Sequence, residues 1–328
     1  MPDTPELQKA FGQPPGQKVG CGFPVANLLV LFDLGTGFLM RIGAAPLRSH
    51  EMSRAATFHA EMQPNDVLVA DRGFCSYAHL ALLFQAEIHG VFRIHQQLIV
   101  NFRKGRPHAS TGSLNNRRRS KGRPRSPWIQ WLGHVDQIVE YVKPWHRPLW
   151  MTAEEYAALP VSLRVRELRY RIEQRGYRTR DVLLVTTLLD HTRYPSEDLA
   201  ELYGQRWLVE TNLRHLKQTL GMDVLRTKSL NNILKELAMY AIVYNLVRLV
   251  MLKAAQQQGT DLQRISFVDA LRWLRTPPSK AMVSPLLCVP LRKGRVEPRV
   301  QKRRVKQYSL MTQPRNTLRR QLPLPGYA

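Results

Sequence analysis

The sequence feature that most constrains the fold is a short, continuous apolar run that ends in an acidic residue. Residues Val67–Ala70 are all apolar, and Asp71 follows directly. A continuous apolar run is typical of a strand buried on both faces, whereas a half-exposed strand alternates apolar and polar residues. Helical periodicity over Tyr77–Glu87 and a strand-like run at Val91–Ile94 predict a helix followed by a second strand. We therefore predict an α/β protein with Asp71 at the end of a buried strand, where such proteins carry functional side chains.

Similar patterns predict the other elements. Apolar runs separated by turn residues indicate an N-terminal hairpin and a β-rich insertion in the middle of the chain. These strands are Val25–Asp33, Phe38–Ile42, His134–Val142, Leu163–Ile172 and Arg180–Leu189, the last two joined around Arg175–Gly176. Two long helices are predicted over Ser196–Leu220 and Leu230–Gln256, and the second is apolar on most sides and expected to be buried.

The charge balance indicates the class of partner. The chain has 49 Lys+Arg against 25 Asp+Glu, a net charge of +24, which favours binding to polyanions such as nucleic acid. Residues Arg103–Arg125 form a basic arm without an acid, and the tail Arg292–Arg319 is also basic. The three cysteines are too scattered for a disulfide framework, and no uninterrupted apolar run reaches about 18 residues. We therefore expect a cytoplasmic protein that does not associate with membranes.

The first long helix carries a charged stripe. If Ser196–Leu220 is one regular helix, a tyrosine, a carboxylate and three cations lie within a stripe about 80° wide. These residues are Tyr203, Arg206, Glu210, Arg214 and Lys217. The core-facing leucines adjoin the stripe, which predicts that Glu210 lies beside the core and can approach Asp71. An ordinary surface pair between Arg206 and Glu210, four residues apart, is the alternative.

Two carboxylates brought together in this way suit a divalent metal. Mg²⁺ prefers oxygen ligands and keeps waters and substrate phosphate oxygens in its coordination shell. Two such ions about 4 Å apart can activate a nucleophilic oxygen and stabilise the leaving oxygen of a phosphodiester. Asp71 and Glu210 are the candidate ligands, and the cations of the stripe would bind the flanking phosphates.

Several motifs resemble one known family. The spacing Tyr203-x2-Arg206-x3-Glu210-x6-Lys217 resembles the Y-R-E-K signature of the insertion sequence 4 family of DDE transposases. The segment ADRGF at Ala70–Phe74 is similar to the second-aspartate motif of that family. The β-rich insertion before the glutamate also resembles the insertion of the family.

The resemblance implies an RNase H-like core that performs Mg²⁺-dependent (or Mn²⁺-dependent) cleavage and strand transfer of insertion-sequence ends. It implies that Asp71 and Glu210 are catalytic metal ligands and that Tyr203, Arg206 and Lys217 bind DNA, with Arg214 added from the stripe. Double-stranded DNA is the implied partner, bound by a homodimer in the bacterial nucleoid. The implied organisation places the first part of the core at 1–96, the basic arm and insertion at 97–190, the helical second part at 191–260 and a basic, Pro-rich region at 261–328.

One element of the family pattern is not found in this sequence. The opening strand of the core, with the first catalytic aspartate in a D-G-T-like segment, is expected upstream of Met1, so the chain is expected to be N-terminally shortened. Asp3 and Asp33 are the nearby acids, and Asp33 is more simply explained as a turn residue. Two other functions stay open: a non-catalytic DNA-binding relic of a transposase, and an RNase H-like structure-specific nuclease.

Overall fold

The computed structural model describes residues 1–14, 18–47, 49, 51–109, 122–172, 181–275 and 313–321. The joint at Arg175–Gly176, the middle of the basic arm and most of the basic tail lie outside these ranges. The described chain forms two compact units. Unit 1 consists of Met1–Ser49 and Leu208–Ala328, and unit 2 consists of His50–Trp207.

The helices and strands follow one another in this order. They are α1 (Pro5–Phe11), β1 (Ala26–Phe32), β2 (Leu39–Pro46), α2 (Met52–Ala55), β3 (Val67–Ala70), α3 (Tyr77–Gln85), β4 (His89–Arg93), β5 (Trp128–Gly133), β6 (Asp136–Val142), α4 (Ala153–Ala157), β7 (Ser162–Arg171), β8 (Asp181–Thr186), α5 (Ser196–Gly204), α6 (Trp207–Arg214), α7 (Leu230–Gln258), α8 (Phe267–Arg275) and α9 (Arg315–Gln321). Short 3-10 turns lie at Ala56–Glu61, Arg72–Phe74 and Leu262–Arg264, and a π-helical turn lies at His215–Thr219.

Unit 2 is a mixed sheet with helices on both faces. The strand order is β3-β4-β8-β7-β6-β5, in which β3 and β4 are parallel and the other neighbours are antiparallel. Successive residues of β4 point to opposite faces, so Phe92 packs with α3 whereas Val91 packs with Leu199 of α5. Both side chains are completely buried. The predicted α/β class is thus confirmed. Val67–Ala70 forms the predicted strand and packs on both faces, with Leu68 and Ala70 against one core cluster and Val67 and Val69 against the other, but its residues are only partly buried.

Unit 1 is built around the long helix α7 and the N-terminal hairpin. β1 and β2 are antiparallel, as predicted. Their core-facing side chains pack with α1, α7 and α8, and the fully buried Tyr244 donates a hydrogen bond to the Gly37 carbonyl in the hairpin turn (3.0 Å). Asn245 of α7 also accepts from the Leu39 N–H (2.8 Å) and donates to its carbonyl (3.0 Å). These side-chain bonds fix the hairpin to the helix.

Helix α7 departs from the prediction that it is buried on most sides. It forms over Leu230–Gln258, as expected, but only one face packs in the core of unit 1. Met239, Ile242 and Leu246 are each about half exposed. Among the described helices, α7 is long and apolar enough to cross a membrane, a property that core helices of soluble proteins share. The packed face, with Ile233 and Leu237 buried, shows its role inside unit 1.

Candidate active site

Asp71 lies where the sequence predicts, directly after β3. It caps the 3-10 turn Arg72–Phe74, and its Oδ1 accepts a hydrogen bond from the Arg72 N–H (2.7 Å). The Asp71 side chain is exposed. Arg72 donates from its guanidinium to Gln96 Oε1 (3.0 Å), which ties the turn after β3 to the segment after β4. A carboxylate is therefore held at the edge of a rigid sheet and faces solvent.

The topology of the sheet brings two further side chains to the same end. Ala70 of β3 pairs with Phe92 of the parallel strand β4. The next residues, Asp71 and Arg93, therefore lie side by side at the ends of these two strands. Arg93 in turn pairs with Leu184 of β8, and Tyr170 of β7 pairs with Val182 of the same strand. Because β4 and β7 are both antiparallel to β8, the C-terminal ends of β4 and β7 lie at the same end of the sheet.

Helix α5 and the turn that follows it supply two more side chains to this end of the sheet. Tyr203 is 6% exposed and packs with the core on the α5 face of the sheet. The Arg206 guanidinium lies 5.7 Å from the centroid of the Tyr203 ring and 5.2 Å from that of the Trp207 ring. We call Asp71, Arg93, Tyr170, Tyr203 and Arg206 the strand-end cluster.

The pKa of Tyr203 shows that the members of the strand-end cluster act on one another. This pKa is raised to about 12, mainly by burial; the charge of Asp71 also raises it, whereas the charges of Arg206 and Arg93 lower it. Burial also raises the pKa of Tyr170, against the effect of the same two arginines. Both phenols are therefore neutral near pH 7, and the Tyr203 hydroxyl keeps a proton that it can donate. One carboxylate and two guanidiniums give the cluster a net positive charge.

A buried ion pair fixes the start of α5. Arg166 of β7 is 1% exposed and forms a two-point pair with Asp136 of β6. The same guanidinium donates to the Tyr194 carbonyl just before α5 (2.5 Å). Because α5 leads to Tyr203, this pair links the sheet to the helix that completes the strand-end cluster.

The predicted single helix Ser196–Leu220 is wrong. Helix α5 ends at Gly204, the Arg206 N–H bonds back only three residues to the Tyr203 carbonyl (3.1 Å), and α6 begins at Trp207. A π-helical turn follows at His215–Thr219, closed by the Leu220 N–H to the His215 carbonyl (2.9 Å). A tighter or a wider helical turn changes the rotation of the residues that follow it. A helical wheel with a constant rotation per residue therefore does not describe how the five stripe residues are arranged.

Glu210, Arg214 and Lys217 lie in unit 1, whereas Tyr203 and Arg206 lie in unit 2. Glu210 and Arg214 are one turn apart on α6, and Lys217 lies in the π-helical turn. All three side chains are exposed. The expectation that Glu210 is sheltered beside the core is thus wrong, because the apolar residues of α6, Val209 and Leu213, are the ones that pack inward.

Stacked rings hold the π-helical turn that carries Lys217. The His215 ring stacks on the Phe267 ring of α8, with centroids 4.2 Å apart and planes 10° apart. Leu216, the next residue, is completely buried. The pKa of His215 is lowered to about 4, mainly by burial and also by the charges of Arg214 and Arg248, so the imidazole is neutral at pH 7. The turn is therefore anchored by packing on one side while Lys217 faces solvent.

The chemistry of the acidic side chains fits Mg²⁺, although no complete metal site is present among the described residues. Within those residues, no group of three or more His, Cys, Asp and Glu side chains could hold a metal ion. Mg²⁺ is commonly bound by only one or two carboxylates together with waters and substrate phosphates. Asp71 and Glu210 are exposed carboxylates of this kind.

The two other acids near the N-terminus have local structural roles. Asp33 Oδ1 accepts hydrogen bonds from the Thr36 N–H (2.7 Å) and the Thr36 hydroxyl (2.5 Å), which closes the turn of the β1–β2 hairpin. Asp3 Oδ1 accepts from Gln8 Nε2 of α1 (2.7 Å). The interpretation of Asp33 as a turn residue is confirmed.

Sequence reasoning missed Arg93 and Tyr170. The signal for Arg93 was available, since it is the charged residue of the predicted strand Val91–Ile94, which follows the run that ends at Asp71. Tyr170 carries no comparable signal, because its place at the edge follows from pairing between β7 and β8.

Comparisons with known proteins address the family. Residues 3–246 match the model of the "Transposase DDE domain" family. The transposase InsG of insertion sequence element IS4 from Escherichia coli (strain K12) is 25% identical over 329 residues, which cover 94% of this chain and 66% of that protein. The chain thus spans just under two thirds of the length of this relative.

Two further matches are shorter or weaker. A probable transposase for insertion sequence element IS5377 from Geobacillus stearothermophilus is 34% identical over 89 residues, 27% of this chain and 23% of that protein. A solved piggyBac transposase synaptic complex with hairpin DNA is 12% identical, with a TM-score of 0.39, and the match covers 79% of this chain and 46% of that one. The family match over most of the chain agrees with the Y-R-E-K spacing and with a relative from insertion sequence 4: the chain belongs to the DDE transposase family.

Proposed function

We propose that the protein is a transposase that cleaves and joins DNA at the ends of an insertion sequence, with Mg²⁺ or Mn²⁺ as cofactor. The observation that carries this proposal is the strand-end cluster, in which one exposed carboxylate lies among two arginines and a neutral buried tyrosine. Acidic residues at a strand end serve metal-dependent phosphodiester chemistry, and nearby guanidiniums bind phosphate. The doubly covered sheet that carries Asp71 also supports an RNase H-like core.

The residues divide this work between them. Asp71 and Glu210 would hold the metal, which when bound supplies an activated oxygen nucleophile and stabilises the leaving oxygen. Arg206 and Arg93 bind the phosphates on either side of the scissile bond. The neutral Tyr203 hydroxyl donates a hydrogen bond to a phosphate oxygen, because its pKa of about 12 keeps the proton in place at pH 7.

The residues of unit 1 extend the phosphate contacts. Arg214 and Lys217 are exposed cations on the segment that carries Glu210. In this proposal they bind the backbone of double-stranded DNA beyond the cleavage site. Binding by two copies of the chain on two DNA ends, a place in the bacterial cytoplasm and the four-part division of the chain stay predictions.

The test compares carboxylate variants on a duplex that carries the ends of the element encoding this chain. Asp71→Asn and Glu210→Gln should each abolish cleavage in Mg²⁺ or Mn²⁺ but leave DNA binding largely intact, because each removes a metal ligand and no phosphate contact. Glu201→Gln, an exposed acid on α5, is the matched control and should cleave normally.

Three outcomes separate the candidate functions. Cleavage by Asp71→Asn or Glu210→Gln at the rate of the unmodified protein contradicts the assignment of that ligand. DNA binding without cleavage by the unmodified protein supports the non-catalytic relic. Cleavage without joining of the ends, assayed with a target duplex, supports a structure-specific nuclease.

A further inference from the structure

A pair of histidines lies on the inner side of the turn that carries Asp71. His59 belongs to the 3-10 turn Ala56–Glu61, and His79 lies in the first turn of α3. Their Nε2 atoms are 2.8 Å apart, and their rings are stacked with centroids 4.9 Å apart. His79 is 1% exposed.

The hydrogen-bond partners determine which nitrogen of each ring carries the proton. His79 Nδ1 lies 2.9 Å from the Phe74 carbonyl, which can only accept, so Nδ1 is the donor. The Nε2 of a neutral His79 is then an acceptor, and His59 Nε2–H must donate to it. Burial lowers the pKa of both rings to about 4, which keeps them neutral at pH 7. The donors therefore run in one direction, from His59 to His79 to the Phe74 carbonyl.

This chain of hydrogen bonds ends on the turn that begins with Asp71. The Phe74 N–H donates to the Asp71 carbonyl (2.9 Å), and its carbonyl accepts from His79. The peptide groups on both sides of Phe74 are thus fixed, one by Asp71 and one by the buried imidazole. The rings of Phe74 and of Phe92 of β4 also contact the His79 ring, with centroids 6.4 Å and 5.4 Å away.

We propose that His59 and His79 are a positioning pair for Asp71: they hold the turn Arg72–Phe74 from inside and so fix the direction in which the Asp71 carboxylate faces. Among the described residues, no group of three or more His, Cys, Asp and Glu side chains around the pair could hold a metal ion. The proposal rests on the proposed function in one respect, the role of Asp71 as a catalytic ligand. The placement of the turn itself is independent of that role.

Two isosteric variants of the full chain test the positioning. In His79→Asn the side-chain amide takes the place of Nδ1 and keeps the donor to Phe74, whereas in His79→Gln it takes the place of Nε2 and loses that donor. Hydrogen exchange of the Phe74 N–H should be about tenfold faster in His79→Gln, the effect of losing one buried hydrogen bond, and close to the original rate in His79→Asn. The Ala86 N–H at the other end of α3, bonded to the Leu82 carbonyl, is the control and should be unaffected.

Equal exchange of the Phe74 N–H in the two variants overturns the proposal, because simple loss of packing would affect both. If His79→Gln does not fold, the variants His59→Gln and His59→Leu are compared instead. His59→Gln keeps the donor to His79 and should behave as the original protein, whereas His59→Leu should loosen the turn. DNA cleavage is measured on the same samples. A loosened turn with undiminished cleavage supports the positioning pair and contradicts the role proposed for Asp71.

Discussion

Arg206 offers the sharpest test of how the strand-end cluster meets DNA. Its guanidinium lies against the rings of Tyr203 and Trp207, at the edge where Asp71 is exposed. If Arg206 neutralises one phosphate, Arg206→Ala releases one fewer counterion on binding. The plot of log binding constant against log salt concentration should then become shallower by about 0.9.

That slope gives a definite change in affinity. Between about 50 mM and 200 mM salt the concentration rises fourfold. The ratio of the DNA-binding constant of the original protein to that of Arg206→Ala should therefore fall about 3.5-fold. For a variant that lacks both Arg206 and Arg93, the slope should become shallower by about 1.8. The affinity advantage of the original protein over that variant should then shrink about 12-fold over the same salt range. Fluorescence anisotropy with a labelled duplex over a salt series measures these values.

Arg164 is the matched control. It is an exposed arginine near the start of β7, six residues before Tyr170 and hence about 20 Å from the edge that carries the strand-end cluster. Arg164→Ala should leave the slope unchanged. An unchanged slope in Arg206→Ala, or the same change in Arg164→Ala, would refute a phosphate contact at the strand-end cluster.

Two further predictions concern the same edge and its support. Asp71→Asn should lower the pKa of Tyr203 from about 12, because the Asp71 charge raises it; ultraviolet titration with Tyr203→Phe subtracted measures this, and an unchanged pKa would mean that the two groups are not neighbours. Arg166→Met should lower the free energy of unfolding by about 3–5 kcal/mol, since it leaves the Asp136 carboxylate buried without its partner. Urea denaturation tests this, and a loss below about 1 kcal/mol would contradict the importance of the pair.

Local sequence patterns were sufficient for the elements that one short segment specifies. The continuous run Val67–Ala70 identified a strand covered on both faces, because burial on each side requires apolar residues at every position. The same reasoning placed the β1–β2 hairpin, with Asp33 as its turn residue. It missed β5, where Trp128–Gly133 pairs irregularly with β6 and carries two exposed residues.

The helical wheel failed for a physical reason. It assumes a constant rotation per residue, and the chain breaks that constancy after Gly204 and again in the π-helical turn. The spacing of Tyr203, Arg206, Glu210 and Lys217 is a property of the sequence and led to the family. Their arrangement in space depends on how each turn packs, as the stacking of His215 on Phe267 illustrates.

The sequence alone thus determined the α/β class, the acid at the end of an apolar strand and the family to which the chain belongs. These depend on residue type and spacing, which can be read without coordinates. Only the tertiary structure placed Arg93, Tyr170 and Tyr203 around Asp71 and His79 behind its turn. The reason is that strand pairing and the packing of α3 and α5 join residues that are far apart in the chain, and no local pattern encodes which of them will meet.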